Sequence, residues 1–173
     1  MKELILGGVR SGKSRLAEQR ARDSGLQVVY IATAIATLDT ELDERIRRHR
    51  ARRPATWTVV EEPLALGGAL RTHASVRRCL VVECLTLWLT NLLCTAAERF
   101  ERERLSLLET LPALAGEIIL VSNETGLGVI PLGALSRRFV DVSGELHQSL
   151  AAICDRVTLA VAGLPFPLKG THT

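Results

Sequence analysis

One octapeptide near the start of the chain limits the fold more than any other feature. It reads Gly7-Gly8-Val9-Arg10-Ser11-Gly12-Lys13-Ser14 and lies between an apolar run at 4–6 and a helix-favouring run at 15–22. The pattern is that of a P-loop, in which backbone N–H groups and the start of the following helix hold phosphate oxygens. We therefore expect this segment to bind a nucleoside triphosphate, with Lys13 on the terminal phosphates and Ser14 on Mg²⁺.

Short apolar runs recur along the rest of the chain. They predict strands at 3–6, 28–32, 80–83, 118–122 and 157–162, with amphipathic or charged segments between most of them. Strands that are apolar throughout are typical of a mainly parallel sheet with helices on both faces. Residues 57–61 are a further candidate strand, and 164–169, which contains two prolines, fits an edge strand or a loop.

Length and composition narrow the class of protein. The chain has 173 residues, 47% of them hydrophobic, which predicts a single domain over 1–173. A net charge of +3 and 3% aromatic residues argue against nucleic-acid binding. We expect a cytoplasmic protein without a membrane span, since no apolar stretch approaches about 20 residues and the first strand leaves no room for a signal peptide. Four cysteines without CxxC spacing predict reduced thiols.

A second distinctive segment is the charged run at 41–53, which predicts a helix that ends at Pro54. It contains His49 and five arginines within 47–53. Guanidinium groups bind phosphates in a bidentate manner, and they disfavour an imidazolium, so a neutral His49 could attack an α-phosphate. The alternative is an ordinary solvated helix surface.

Acidic residues follow two of the predicted strands. Glu83 ends the run at 80–82, where P-loop proteins often keep an acidic residue that helps to hold Mg²⁺ through water. Because glutamate is one methylene longer than aspartate, a nucleotide contact is equally open. Glu124 follows the run at 118–122, on the side of an α/β sheet where ligands bind, and its role stays open between the rim of the site and the magnesium shell.

Several further segments resemble, in order and spacing, a family of bifunctional enzymes of cobalamin assembly, the adenosylcobinamide kinase/adenosylcobinamide-phosphate guanylyltransferases. With the P-loop, the resemblance covers most of the chain. The matching segments are Tyr30-Ile31-Ala32-Thr33, Arg45-Ile46, His49, Arg53-Pro54-Ala55-x-Trp57, Glu83-Cys84-Leu85-Thr86, Thr90-Asn91-Leu92-Leu93, Val121-Ser122-Asn123-Glu124-x-Gly126-x-Gly128-x-x-Pro131 and Phe139-x-Asp141-x-x-Gly144.

The resemblance implies a RecA-like P-loop NTPase fold, an α/β three-layer sandwich. It also implies two reactions: phosphorylation of adenosylcobinamide by ATP or GTP, then transfer of GMP from GTP to adenosylcobinamide phosphate through a covalent guanylyl-histidine at His49. By the same resemblance, the protein is a homo-oligomer, a trimer. Besides the P-loop, the positions that match nucleotide contacts in the family are Thr33, Ala34, Ile35, Arg50, Ala51, Arg52, Arg53, Glu61 and Glu83.

Two other functions compete with this interpretation. A P-loop kinase of another small alcohol or nucleoside explains residues 7–14 equally well and needs no covalent step. A GTP-binding switch would need a guanine-specifying motif such as Asn-Lys-x-Asp, which Asn123-Glu124-Thr125-Gly126 does not provide. His73, His147 and His172 lack ligand spacing, and we interpret them as surface or helix residues.

Overall fold

Seven strands of the described residues form one sheet, in the order β3-β2-β4-β5-β1-β6-β7. The structure, a computed structural model, describes residues 1–35 and 54–170. Strands β1 to β6 pair in parallel, and β7 is antiparallel to β6. Their bounds are Lys2–Gly7 (β1), Gln27–Ala32 (β2), Thr58–Glu61 (β3), Arg78–Glu83 (β4), Glu117–Asn123 (β5), Arg156–Val161 (β6) and Leu164–Lys169 (β7).

Helices cover both faces of this sheet, which confirms the predicted three-layer α/β architecture. One face packs against α2 to α5 around the fully buried Trp88, and the other packs against α1 through Ala17 and Ala21. Because alternate residues of the central strands reach one or the other core, those strands are apolar throughout. The helices within the described residues are Lys13–Asp23 (α1), Leu66–His73 (α2), Leu85–Leu93 (α3), Ala97–Thr110 (α4) and Ala134–Ile153 (α5), with a 3₁₀ turn at Leu111–Ala113.

Most strand bounds agree with the sequence prediction to within a residue or two. Strand β6 ends at Val161, one residue earlier than predicted, because Ala162 and Gly163 have φ angles of 52° and 82° and form the turn into β7. Strand β7 lies at the edge of the sheet. That position suits Pro165 and Pro167, which have no N–H to give to a second neighbouring strand.

The four thiols are free. Burial raises the pKa of Cys79 and Cys154 to about 12 and that of Cys84 to about 11, so these three are inert at neutral pH. Cys94 is exposed. Among the described residues, no helix combines the length and the apolar character needed to cross a membrane.

Candidate active site

The P-loop connects the carboxyl end of β1 to the start of α1, as its sequence predicts. The Gly8 carbonyl accepts hydrogen bonds from the Ser11 N–H at 3.2 Å and from Lys13 Nζ at 3.1 Å. The Ser11 carbonyl accepts the Gly163 N–H at 2.8 Å, which fastens the loop to the turn between β6 and β7. These contacts preorganise the loop before any phosphate binds.

Two glycines of the loop are required by its shape. A Cβ on Gly7 would lie 2.4 Å from Ser11 Oγ and 2.7 Å from the Ala160 carbonyl oxygen. Gly12 has a φ of 94°, which L-residues rarely adopt, and a Cβ there would lie 3.0 Å from the Cα of Gly163. Gly8, in contrast, would meet nothing within 4 Å.

Ser14 and Glu83 come together although 69 positions separate them in sequence. The Ser14 hydroxyl donates to Glu83 Oε1 at 2.6 Å, across the end of β5, which lies between β1 and β4. A hydroxyl and a carboxylate oxygen are the hard donors that Mg²⁺ prefers, beside a loop shaped for phosphates. The two side chains therefore fit a magnesium ion that accompanies the nucleotide.

The other expected nucleotide contacts among the described residues follow the same edge of the sheet. Ala32 is in register with Glu61 on one side and with Glu83 on the other, so both carboxylates lie at the carboxyl ends of their strands. Glu61 is four strands away from Gly7, about 19 Å at the usual strand spacing. It is therefore too far from the P-loop to touch phosphates held there.

Thr33, Ala34 and Ile35 leave this edge directly after β2. The Thr33 hydroxyl is buried; it donates to the Cys84 carbonyl at 2.7 Å and accepts the Cys84 N–H at 2.9 Å. Its own carbonyl accepts a hydrogen bond from Asn91 Nδ2 at 2.8 Å. Thr33 thus joins the ends of β2 and β4 to α3, a structural role that the sequence did not reveal.

At the loop itself, Val9 and Arg10 are exposed, as is Ile35 at the end of β2. Lys13 is buried beneath the loop. His49, Arg50, Ala51, Arg52 and Arg53 lie outside the described residues.

The structure also assembles a polar cluster that sequence reasoning missed. His147 Nε2 lies 2.8 Å from Ser122 Oγ, and its Nδ1 lies 3.8 Å from Glu124 Oε2. Ser122 Oγ is 3.5 Å from Thr86 Oγ1, which accepts the Asn123 N–H at 2.8 Å. His147 is on a helix as expected, but it is buried, on the face that also carries Leu146 and Leu150. That helical periodicity was the available signal.

Burial lowers the pKa of His147, and the nearby Glu124 carboxylate opposes this effect. The imidazole is therefore neutral at pH 7, and its contact with Glu124 is not an ion pair there. One direction of donation satisfies each group: Asn123 N–H to Thr86, Thr86 to Ser122, Ser122 to His147 Nε2, with the Nδ1–H facing Glu124. The cluster consequently presents an N–H dipole to the carboxylate of Glu124.

Glu124 itself is fastened to the P-loop. Its backbone N–H donates to the Gly7 carbonyl at 3.1 Å, and its Oε1 accepts the Gly126 N–H at 2.6 Å. Its side chain is 19% exposed. A partly open, preorganised carboxylate thus lies beside the first residue of the phosphate loop.

Comparison with known proteins agrees with a site that binds a nucleotide. The family described as cobinamide kinase / cobinamide phosphate guanyltransferase matches residues 3–168. The bifunctional adenosylcobalamin biosynthesis protein CobP of Pseudomonas aeruginosa is 64% identical over 171 residues, which cover 98% of each chain. The corresponding CobU proteins of Escherichia coli and Salmonella typhimurium are 35% and 36% identical over 180 residues, covering 96% of this chain and 98% of each relative.

Solved structures that resemble the chain share its fold at low identity. An ATPase of a type III secretion system has a TM-score of 0.58 and 12% identity, covering 96% of this chain and 56% of that one. The RadB recombinase has a TM-score of 0.50 and 17% identity, covering 91% and 73%. These similarities support the P-loop NTPase fold.

Proposed function

The chain belongs to the cobinamide kinase / cobinamide phosphate guanyltransferase family, and on that basis we propose how its own residues carry out the two reactions. The enzyme is a bifunctional kinase and guanylyltransferase of cobalamin biosynthesis, with ATP or GTP as nucleotide substrates. The observation that carries our assignment is the contact of Ser14 with Glu83 beside the P-loop. We place the triphosphate of the bound nucleotide at the P-loop, beside this contact.

In the kinase reaction, residues 7–14 bind the β- and γ-phosphates, and the terminal phosphoryl group passes to the alcohol of adenosylcobinamide. The N–H groups of the P-loop and the Lys13 ammonium neutralise charge that develops on the phosphate oxygens. Burial of Lys13 supports this role, because its charge acts in a poorly screened environment.

We assign the magnesium ion to Ser14 and Glu83, the latter directly or through water. The hydroxyl and carboxylate donors, joined at 2.6 Å, support that assignment. When bound, the ion supplies charge neutralisation between the phosphates.

In the second reaction, His49 attacks the α-phosphorus of GTP, pyrophosphate leaves, and adenosylcobinamide phosphate takes GMP from the histidine. The arginine-rich sequence around His49, with five arginines within 47–53, supports this proposal. Arg50 and Arg53 would bind phosphate oxygens.

Glu61 lies about 19 Å from Gly7 along the sheet. This distance fits a contact with the distal end of a nucleotide or with a second nucleotide. A cytoplasmic location and a trimeric assembly stay predictions.

Separate assays of the two reactions test this division. Kinase activity is measured as transfer of the γ-phosphate to cobinamide, and guanylyltransferase activity as formation of the GDP product from preformed cobinamide phosphate. We expect Lys13→Ala to lower the kinase rate at least 100-fold, as for loss of other groups that stabilise transition-state charge. His49→Asn is expected to abolish guanylyl transfer and to leave the kinase as the dominant remaining activity.

The matched control is His73→Asn, a histidine at the end of α2 on no element of the site. Loss of guanylyl transfer in the His73 variant, or its retention in the His49 variant, contradicts the assignment of the nucleophile. A kinase that keeps its full rate in Lys13→Ala removes the P-loop from the phosphoryl transfer.

A further inference from the structure

We infer that Glu124 is the base that accepts the proton of the cobinamide alcohol in the kinase reaction, and that His147 positions it. This inference deepens the proposed function and rests on phosphoryl transfer at the P-loop. It concerns a carboxylate that the nucleotide and magnesium assignments do not use. The observations that carry it are the contacts of Glu124 with the P-loop, with Gly126 and with His147.

The position of Glu124 is suited to the acceptor side of the γ-phosphate. Asn123 is the register partner of Gly7, and Glu124 then donates its backbone N–H to the Gly7 carbonyl at 3.1 Å. The carboxylate on the magnesium side, Glu83, lies one strand further along the sheet. Two carboxylates thus end neighbouring strands β4 and β5, one in contact with Ser14 and the other next to the start of the loop.

The carboxylate is held in one orientation while an edge of it stays open. Oε1 accepts the Gly126 N–H at 2.6 Å, and Oε2 faces the His147 ring at 3.8 Å. That second distance exceeds hydrogen-bond length, so the imidazole orients the carboxylate electrostatically and leaves Oε2 able to accept a proton. With 19% of its side chain exposed, Glu124 is accessible to a substrate hydroxyl.

His147 is itself held by Ser122, which contacts the ring nitrogen that does not face Glu124. Its Nε2 is 2.8 Å from Ser122 Oγ, and both residues are buried. The bond to the Ser122 hydroxyl selects the tautomer with the proton on Nδ1, which faces Glu124. His147 is therefore a positioning residue, which orients Glu124 as outer-shell partners orient the groups that they contact.

There is open space on the same side of the site. A cavity of about 410 Å³ lies between the end of α3 and the start of α5 and begins at Thr125, the residue after Glu124. Its walls are mainly apolar, with Leu93 from α3 and Phe139 from α5. An acceptor bound in this space would lie against Thr125, one residue from Glu124 in sequence.

The alcohol oxygen forms a bond to the γ-phosphorus, and the bond from that phosphorus to the bridging oxygen breaks, with its electron pair leaving on the nucleoside diphosphate. The hydroxyl proton passes to the Glu124 carboxylate and from there to water. Such a base contributes about 10²- to 10⁴-fold to the rate.

The second reaction of the same enzyme supplies an internal reference. Its acceptor is a phosphate monoester, whose oxygens are already ionised near pH 7 because its second pKa is about 6. It has no alcohol proton to remove. A base for the alcohol should therefore matter for the kinase reaction and much less for guanylyl transfer.

The test is Glu124→Gln, which keeps the shape of the side chain and an oxygen for the Gly126 N–H. The kinase reaction is assayed with cobinamide and the guanylyltransferase reaction with preformed cobinamide phosphate. GTP affinity is measured by calorimetry. We expect the ratio of the kinase rate to the guanylyltransferase rate to fall by about 10²- to 10⁴-fold. Glu124→Asp, which restores a carboxylate, should recover part of the kinase rate. Glu145→Gln, an exposed position on α5, is the matched control.

His147→Asn tests the positioning role. It should lower the kinase kcat by a smaller factor than Glu124→Gln, and it should have no further effect in a Glu124→Gln background, since the residue acts through that carboxylate.

Three results overturn the inference: a kinase rate unchanged in Glu124→Gln, an equal fall of both reactions, or equal activities of the Gln and Asp variants. Failure of the proposed His49 step is distinguishable, because it appears as guanylyl transfer that persists in His49→Asn and leaves the comparison of the Glu124 variants unchanged.

Discussion

Gly12→Ala offers a quantitative test of how the phosphate loop is built. An alanine at a φ of 94° costs about 1 to 2 kcal/mol as a left-handed L-residue. Its Cβ would also lie 3.0 Å from Gly163 Cα, a backbone atom, and such overpacking costs about 1 to 3 kcal/mol. Together, these penalties reduce the free energy of unfolding by about 2 to 5 kcal/mol. For a protein of this size, the Tm should fall by at least about 4 °C.

Gly8→Ala is the matched control in the same loop. A Cβ at Gly8 meets nothing within 4 Å, and its φ is not in the left-handed region. Since alanine restricts the unfolded chain, this variant should be neutral or more stable by about 0.4 to 1 kcal/mol. Urea denaturation and thermal unfolding of both variants without nucleotide give the comparison. An unchanged Tm for Gly12→Ala, or an equal loss for Gly8→Ala, would refute the reasoning from loop geometry.

Three further variants or treatments report on the core and on the polar cluster. Trp88→Phe should reduce the free energy of unfolding by about 2 to 4 kcal/mol in urea, because it opens space in the core and removes the Nε1 donor, 2.8 Å from the Leu64 carbonyl. A thiol reagent at pH 8 should label only Cys94 in the folded protein and all four thiols in urea, as counted by intact mass; early labelling of the others would contradict their burial. The three protected thiols are Cys79, Cys84 and Cys154. Burial lowers the folded-state pKa of His147, so its stabilising effect is complete above the unfolded value near 6.5 and declines as the pH falls towards the folded value. Between pH 7 and pH 5, His147→Gln should therefore lose less stability than wild type in urea titrations, and an equal loss would contradict the neutral imidazole.

Local sequence patterns were sufficient for the framework of the fold. The apolar runs and the P-loop located most of the strands, and the position of Glu83 at the end of β4 followed from the end of its run. The prolines of 164–169 predicted an edge strand or a loop, and the segment forms the edge strand β7. These features depend on periodicity and on backbone chemistry within a few residues, which a single sequence records directly.

Contacts between distant parts of the chain could not be predicted in this way. Thr33 bonds the peptide groups of Cys84 across 51 positions, and Ser122 meets His147 across 25. A lone threonine or histidine carries no sign of such a partner until the strand order brings the elements together. His147 was interpreted from its lack of ligand spacing, whereas its place on the buried stripe of α5 decides its environment.

The formation of a covalent guanylyl-histidine at His49 can be measured directly. Purified protein is incubated with Mg²⁺ and GTP labelled at the α-phosphate, and its intact mass is recorded before and after acid treatment. We expect an adduct with the mass of GMP that acid removes, present on wild type and absent from His49→Asn. A GTP-binding wild type that forms no adduct, or an adduct that persists in His49→Asn, would contradict the covalent guanylyl-histidine at this position.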